Sequence, residues 1–144
     1  MNIKKITTYL LKLHRRGERI IKAKYKDGYL ITDGYKLFYL KENELEINPN
    51  LIKDNKEIVE IWEKATKSCY ELKYELSKKH NGCLVDKYSN KEQKLDIYID
   101  ENMFDFFDLH LVQLYGSESC SPVVIKKGEE FIALVLPLRM LAKF

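Results

Sequence analysis

Residues 19–40 read Arg-Ile-Ile-Lys-Ala-Lys-Tyr-Lys-Asp-Gly-Tyr-Leu-Ile-Thr-Asp-Gly-Tyr-Lys-Leu-Phe-Tyr-Leu. Two Asp-Gly pairs, Asp27-Gly28 and Asp33-Gly34, interrupt an Ile- and Tyr-rich run. Asp-Gly flanked by apolar residues is a strong hairpin signal, because glycine reaches positive φ without a steric penalty. The stretch therefore predicts strands over 19–26, 29–33 and 35–40, joined by tight turns. Upstream, Ile3, Ile6, Leu10 and Leu13 recur at helical spacing with lysines and arginines between them. That predicts an amphipathic helix over 2–16, stopped by Gly17. Leu45 and Ile47 suggest one more short strand before Pro49.

Downstream, Asp54 and Glu57 have capping-box spacing, and Ile58, Ile61, Trp62, Ala65, Cys69, Leu72 and Leu76 follow as one stripe. This predicts a long helix over 54–80, with Asn81-Gly82 as its stop. Its six basic and six acidic residues balance. Residues 86–93 are polar and read as a loop. Leu95, Ile97 and Ile99 alternate with polar neighbours, which predicts a strand. Asp100 can cap a short helix bearing Met103, Phe104, Phe107 and Leu111. Strands over 111–115, 122–127 and 130–136 follow, the last two turning at Lys127-Gly128-Glu129. The order is helix and three strands over 2–40, then strand, helix and three strands over 94–137. We read this as a single α+β domain, residues 1–144, with internal pseudo-symmetry.

Composition narrows the class. The chain has 144 residues, 45% hydrophobic and 33% charged, enough for one folded core. Abundant Lys, Ile, Asn and Tyr suggest an AT-rich coding sequence, as in a low-GC bacterium or its phage. No apolar run approaches a membrane span and no signal-peptide pattern opens the chain. The three cysteines, Cys69, Cys83 and Cys120, are widely spaced, which fits reduced thiols in the cytoplasm. The net charge of +3 conceals an asymmetry: residues 1–26 carry nine basic residues against one acid, Glu18. Such a segment is a candidate surface for an anionic partner, and equally a solvated helix face.

Three segments resemble the bacterial DNA sliding clamps, the processivity factors of replication. Ile31-Thr32-Asp33-Gly34-Tyr35-Lys36-Leu37 resembles the clamp motif Thr-Asp-Gly-His-Arg-Leu. Residues 121–140, from Ser121-Pro122 through Leu134-Val135-Leu136-Pro137-Leu138-Arg139-Met140, are similar to the clamp C-terminus. Tyr98-Ile99-Asp100 leading into Phe104 resembles the strand-to-helix entry of the last clamp half. The resemblance implies a clamp-like domain of two β-α-β-β-β halves, here with the additional helix over 54–80. It also implies a pocket for the apolar clamp-binding peptides of replication proteins. Thr32 and Leu37 would line it, Tyr35 and Lys36 would replace the family's His and Arg, and Leu134 and Leu136 would supply apolar walls. Pro137, Leu138, Arg139 and Met140 would follow. Double-stranded DNA would be held loosely through its phosphates, with Lys4, Lys5, Lys12, Arg15, Arg16 and Arg19 as the contacts. A clamp subunit carries three such domains, so a ring built from this chain needs a homo-oligomer.

Catalytic chemistry has little support in the residues. His14, His80 and His110 lie far apart and no Cys-x-x-Cys spacing exists, so no metal or other cofactor is expected. Cys69 and Trp62 read as core residues of the stripe. Cys120, between Ser119 and Ser121, is the best candidate for a reactive thiol, yet no histidine partner is evident. Asp105, Asp108 and His110 could form an acid–base cluster, and exposed polar residues there need no function. The expectation is a non-enzymatic clamp-like protein associated with DNA or with replication proteins, from a phage or mobile element. The alternative is a clamp-fold regulator or decoy that does not encircle DNA.

Overall fold

The computed structural model describes residues 1–67 and 70–139. The first helix is α1 (Ile3–Arg15), which buries Ile6, Thr7, Leu10 and Leu13. The Asn2 side chain caps it, accepting a 3.0 Å hydrogen bond from the Lys5 N–H, and Gly17 follows its end at φ +71°. An antiparallel meander comes next: β1 (Ile21–Tyr25), β2 (Gly28–Thr32) and β3 (Lys36–Lys41). Its first turn falls one residue earlier than Asp27-Gly28 suggests. Lys26 takes the positive φ of 51°, while Gly28 opens β2 between Tyr25 and Lys41. A Cβ on Gly28 would stand 2.2 Å from the Leu40 carbonyl oxygen, so glycine is required there for close backbone approach.

The middle of the chain departs most from expectation. Leu45 and Ile47 form no strand; Glu42–Glu44 and Pro49–Leu51 are single 3-10 turns, and Ile47 is buried between them. Asp54 does not cap a helix. It belongs to β4 (Lys53–Asp54), pairs in parallel with β1, and its carboxylate accepts from the Lys22 ammonium at 2.6 Å. Asn55 takes over the capping role, its Oδ1 accepting from the Glu57 N–H at 3.0 Å.

The predicted helix over 54–80 is replaced by a shorter helix and a strand: α2 (Glu57–Lys67), then β5 (Tyr70–His80). Leu72 and Leu76 satisfy a helical stripe, but with Tyr70 and Tyr74 they also alternate at period 2, and tyrosines favour strands. Asn81-Gly82 is accordingly a hairpin turn, with both residues at positive φ (51° and 81°). It leads into β6 (Cys83–Asn90), so most of the stretch read as a loop is strand. Cys69 lies outside the described residues.

The C-terminal third matches its reading closely. β7 (Leu95–Asp100) is followed by a 3-10 turn, Glu101–Phe104, capped by Asp100, where a short helix was expected. Then come β8 (Gln113–Gly116), β9 (Val123–Lys127) and β10 (Glu130–Val135).

These strands form one mixed sheet in the order β4-β1-β2-β3-β10-β9-β8-β5-β6-β7. The two meanders meet at β3 and β10, with Leu37 opposite Leu134 and Phe38 opposite Ala133. Alternation then sends side chains to two cores. Phe38, Ile31, Ile125 and Val135 join α1 and Phe104, Phe106 and Phe107 on one face. Leu37, Leu30, Val124 and Leu134 join Ile58 and Trp62 of α2 on the other. The far end of the sheet curls back over the first face. A Cβ on Gly116 of β8 would meet Ile97 of β7 at 2.6 Å, and the Leu138 N–H reaches the Tyr98 carbonyl at 2.7 Å.

Trp62 is 3% exposed, so Trp62→Ala should destabilise the protein by about 3–5 kcal/mol in urea titration. Gly28→Ala should cost about 1–3 kcal/mol, because the β2–β3 spacing must open to admit the methyl group.

Candidate functional site

The first site follows from the periodicity of α1. Burying Ile6, Leu10 and Leu13 turns Lys4, Thr8, Lys12 and Arg15 outward as one stripe, with Lys5 and Arg16 beside it. Lys4, Lys5, Lys12, Arg15, Arg16 and Arg19 are all exposed. The helix contains no acid, and none of these six makes an ion pair among the described residues. Lys5 is the most constrained: its Nζ donates to the Asp105 carbonyl at 2.9 Å and lies 5.8 Å from the Phe106 ring centre.

A cleft of about 440 Å³ opens between α1 and the segment 102–106, lined by Lys5, Lys12, Lys36, Tyr9, Asn102 and Phe106 among others. Its floor ties the helix to the second tight turn. The Tyr9 hydroxyl donates to Asp33 Oδ2, while Asp33 Oδ1 accepts from the N–H groups of Tyr35 and Lys36 at 2.8 Å each. Lys36 Nζ completes the cluster, 3.5 Å from the Asp33 carboxylate and 5.0 Å from the Tyr9 ring centre. Burial alone would raise the Asp33 carboxyl. The Tyr9 bond, the two backbone N–H groups and the Lys36 charge outweigh burial, so its pKa lies below the ordinary aspartate value. Burial and the same carboxylate push the Tyr9 hydroxyl well above its usual range.

The second site is the junction of the two motif segments. The fold does bring them together, since β3 pairs with β10 and the Leu136 N–H donates to the Tyr35 carbonyl at 2.9 Å. Their side chains are dispersed over both faces of the sheet. Leu37 and Leu134, expected as pocket walls, are buried with Trp62 under α2. Lys36 lies on the α1 side. Thr32 serves the turn, its Oγ donating to the Lys36 carbonyl at 2.6 Å and accepting from the Gly34 N–H. Tyr35 and Leu136 are exposed, Pro137 and Leu138 half-buried, and Arg139 exposed. What remains open is an apolar rim rather than a groove. Met140 lies outside the described residues.

The third feature was not visible in the sequence. A cleft of about 710 Å³, the largest of those found, lies between β5, β6 and the segment 101–114. Asp86 sits in it, 3% exposed, accepting from Ser77 Oγ at 2.6 Å, and Ser77 in turn bonds the Tyr74 hydroxyl. The Glu101 side chain meets Asp86 here. Burial, then the Asp86 charge and their shared hydrogen bond, raise the Glu101 carboxyl above the ordinary glutamate value. Residues 77, 86 and 101 meet only because β6, read as a loop, crosses between them.

The chemistry expected elsewhere is spent on structure. Asp108 Oδ1 accepts from the His110 N–H at 3.0 Å, shaping a turn, and the Asp105 carbonyl holds Lys5. Cys83 and Cys120 are exposed free thiols. No group of three or more His, Cys, Asp or Glu side chains able to hold a metal occurs among the described residues, and none of their helices is long and apolar enough to cross a membrane.

Two pH effects follow. Asp33 is more acidic folded than unfolded, so its contribution is present above its unfolded pKa near 3.8 and lost as pH falls further. Asp33→Asn should cost about 1.5–3 kcal/mol at pH 7 and much less at pH 3, by urea midpoints. Glu101 has the opposite sign: its folded pKa is raised, so its contribution holds below about 4.5 and is lost as pH rises through the folded value. Glu101→Gln should therefore lower the loss of stability between pH 4 and pH 7 relative to the unmodified chain.

No protein-family model, no curated protein and no solved structure matches this chain, so any functional reading rests on its own residues.

Proposed function

We propose that this chain is a non-enzymatic, clamp-like module associated with DNA, holding a duplex by its phosphates through the outer face of α1. The observation that carries the reading is that face and its C-terminal end: four exposed cations on the helix, Arg16 and Arg19 just after it, no acid in the helix and no ion pair to these six among the described residues. Cations on a rigid helix displace condensed counterions from a duplex, and the released ions supply affinity without reading sequence. The one buried polar residue of α1, Thr7, bonds back to the Ile3 carbonyl.

The sheet order supports the clamp-like part of the proposal. Helix-then-three-strands, and one-turn-helix-then-three-strands, abut antiparallel at β3 and β10, with α1 and the 101–104 turn packed into the same core. Encirclement would require several copies, and the rim of Tyr35, Leu136 and Leu138 is where a replication protein's apolar peptide would touch. A second reading, an interaction protein that does not encircle DNA, is favoured by one observation. The β5–β6 hairpin exposes Tyr74 (56%), Leu76 (40%) and Leu84 (39%), more apolar surface than a passive connection needs.

Binding to a labelled duplex should fall steeply with salt, by about 0.9 log units of affinity per log unit of salt for each phosphate neutralised. Replacing Lys4, Lys12, Arg15 and Arg16 by alanine should flatten that slope by up to about four contacts' worth. Retention on DNA that ignores both salt and these substitutions would exclude α1 as the contact. Solution mass at high concentration, with and without DNA, separates the encircling oligomer from the non-encircling protein.

A further inference from the structure

The cleft of about 710 Å³ lies where a strand stops being paired. β8 accompanies β5 only across Tyr70, Glu71 and Leu72, opposite Gly116, Tyr115 and Leu114. From Lys73 to Ser77, β5 has β6 on one side and no strand on the other among the described residues. The chain that would have continued the ladder, residues 109–113, swings away instead, and the cleft fills the gap. A sheet edge with unmet N–H and C=O groups is a template for another extended chain.

The walls say which chain. Tyr74, Tyr88 and Phe104 line the cleft, their rings packed edge to face at 5.7 and 5.8 Å between centres. Glu71, Asp86, Glu101 and Asp105 also line it, against one lysine, Lys73, so acids outnumber bases four to one. Lys73 is already held by Glu71 at 2.9 Å. Asp86 receives only a neutral hydroxyl from Ser77 and the Glu101 side chain. Both carboxyls line the cleft beside aromatic faces, and neither has an ion pair among the described residues. A guanidinium would satisfy both, since it pairs with carboxylates and stacks on rings while remaining weakly hydrated.

We propose that the free edge of β5 and the acid-lined cleft beside it form a docking site for an extended, arginine-bearing segment of a partner protein, which adds as a strand and inserts one basic side chain between Asp86 and Glu101. A strand sends alternate side chains to one face, so a segment with basic residues at every second position presents them to the cleft. The site is independent of the DNA-binding reading, which rests on α1. Lys79, farther along the same strand, works against indiscriminate pairing there.

The test uses two labelled octapeptides, alternating valine with arginine and valine with glutamate, followed by fluorescence anisotropy on the full chain. The arginine peptide should bind and the glutamate peptide should not. Glu101→Gln, at an exposed position, should weaken binding by about tenfold or more, as should Asp86→Asn. N-methylation of alternate peptide amides should abolish binding in one of its two registers, because it removes the ladder donors. Equal binding of both peptides, an unchanged affinity in Glu101→Gln, or no binding up to about 1 mM would overturn the proposal.

Discussion

Leu37 and Phe38 are adjacent in the chain and point to opposite sides of the β3–β10 pair, and the layers of the molecule depend on that alternation. Leu37 faces Trp62 and Ile58 of α2; Phe38, fully buried, faces Phe106 and Phe107 beneath α1. A slip of one residue in this register would exchange the two cores at once. Because both faces are apolar, the central strands can be covered on both sides, which antiparallel sheets often are not. The cover has a functional consequence. Two of the residues that resemble clamp pocket walls, Leu37 and Leu134, are consumed by the second core.

The same junction couples the turn at Asp33-Gly34 to the surface of α1. Thr32 and Asp33 close the turn with their own side chains, and Asp33 then receives the Tyr9 hydroxyl from the helix. A single carboxylate thus ties the helix to the turn. Lys36 is held beside it, so one cation of the region is neutralised locally while those on the outer stripe are left for solvent or a polyanion. Most of the opposing charge lies elsewhere. Asp86, Glu101 and Glu71 collect in the cleft of about 710 Å³, and Asp105 lines that cleft and the one beside α1.

Much of the fold was legible where local signals agree. The α1 stripe, the glycine turns and the three C-terminal strands appear within a few residues of their readings, because one period dominates each segment and a turn residue bounds it. The stretch 54–90 was not legible in this way. Leu72 and Leu76 fit period 3.6 and period 2 alike, and Asn81-Gly82 ends helices and makes hairpins equally well. Pairing with β8 and β6 decided the matter, and no window of local sequence contains those partners. The basic stripe could be read directly, since helical spacing and charge are properties of one segment. The acidic cleft could not, because Ser77, Asp86 and Glu101 are gathered from β5, β6 and the turn after β7.

The sequence by itself determined the composition of each surface element: an N-terminal helix with one basic face, hairpins at fixed glycines, and alternating strands able to bury both sides. Tertiary structure alone decided which strands became neighbours, and with that, what was left uncovered. β3 found β10 rather than another edge, which placed the two motif segments side by side and hid Leu37 and Leu134. β8 is too short to follow β5 to its end, which left an open edge above a buried carboxylate. Helical faces are set by residues three or four apart, but sheet neighbours and clefts are set by contacts far apart along the chain, and only the folded molecule selects among those.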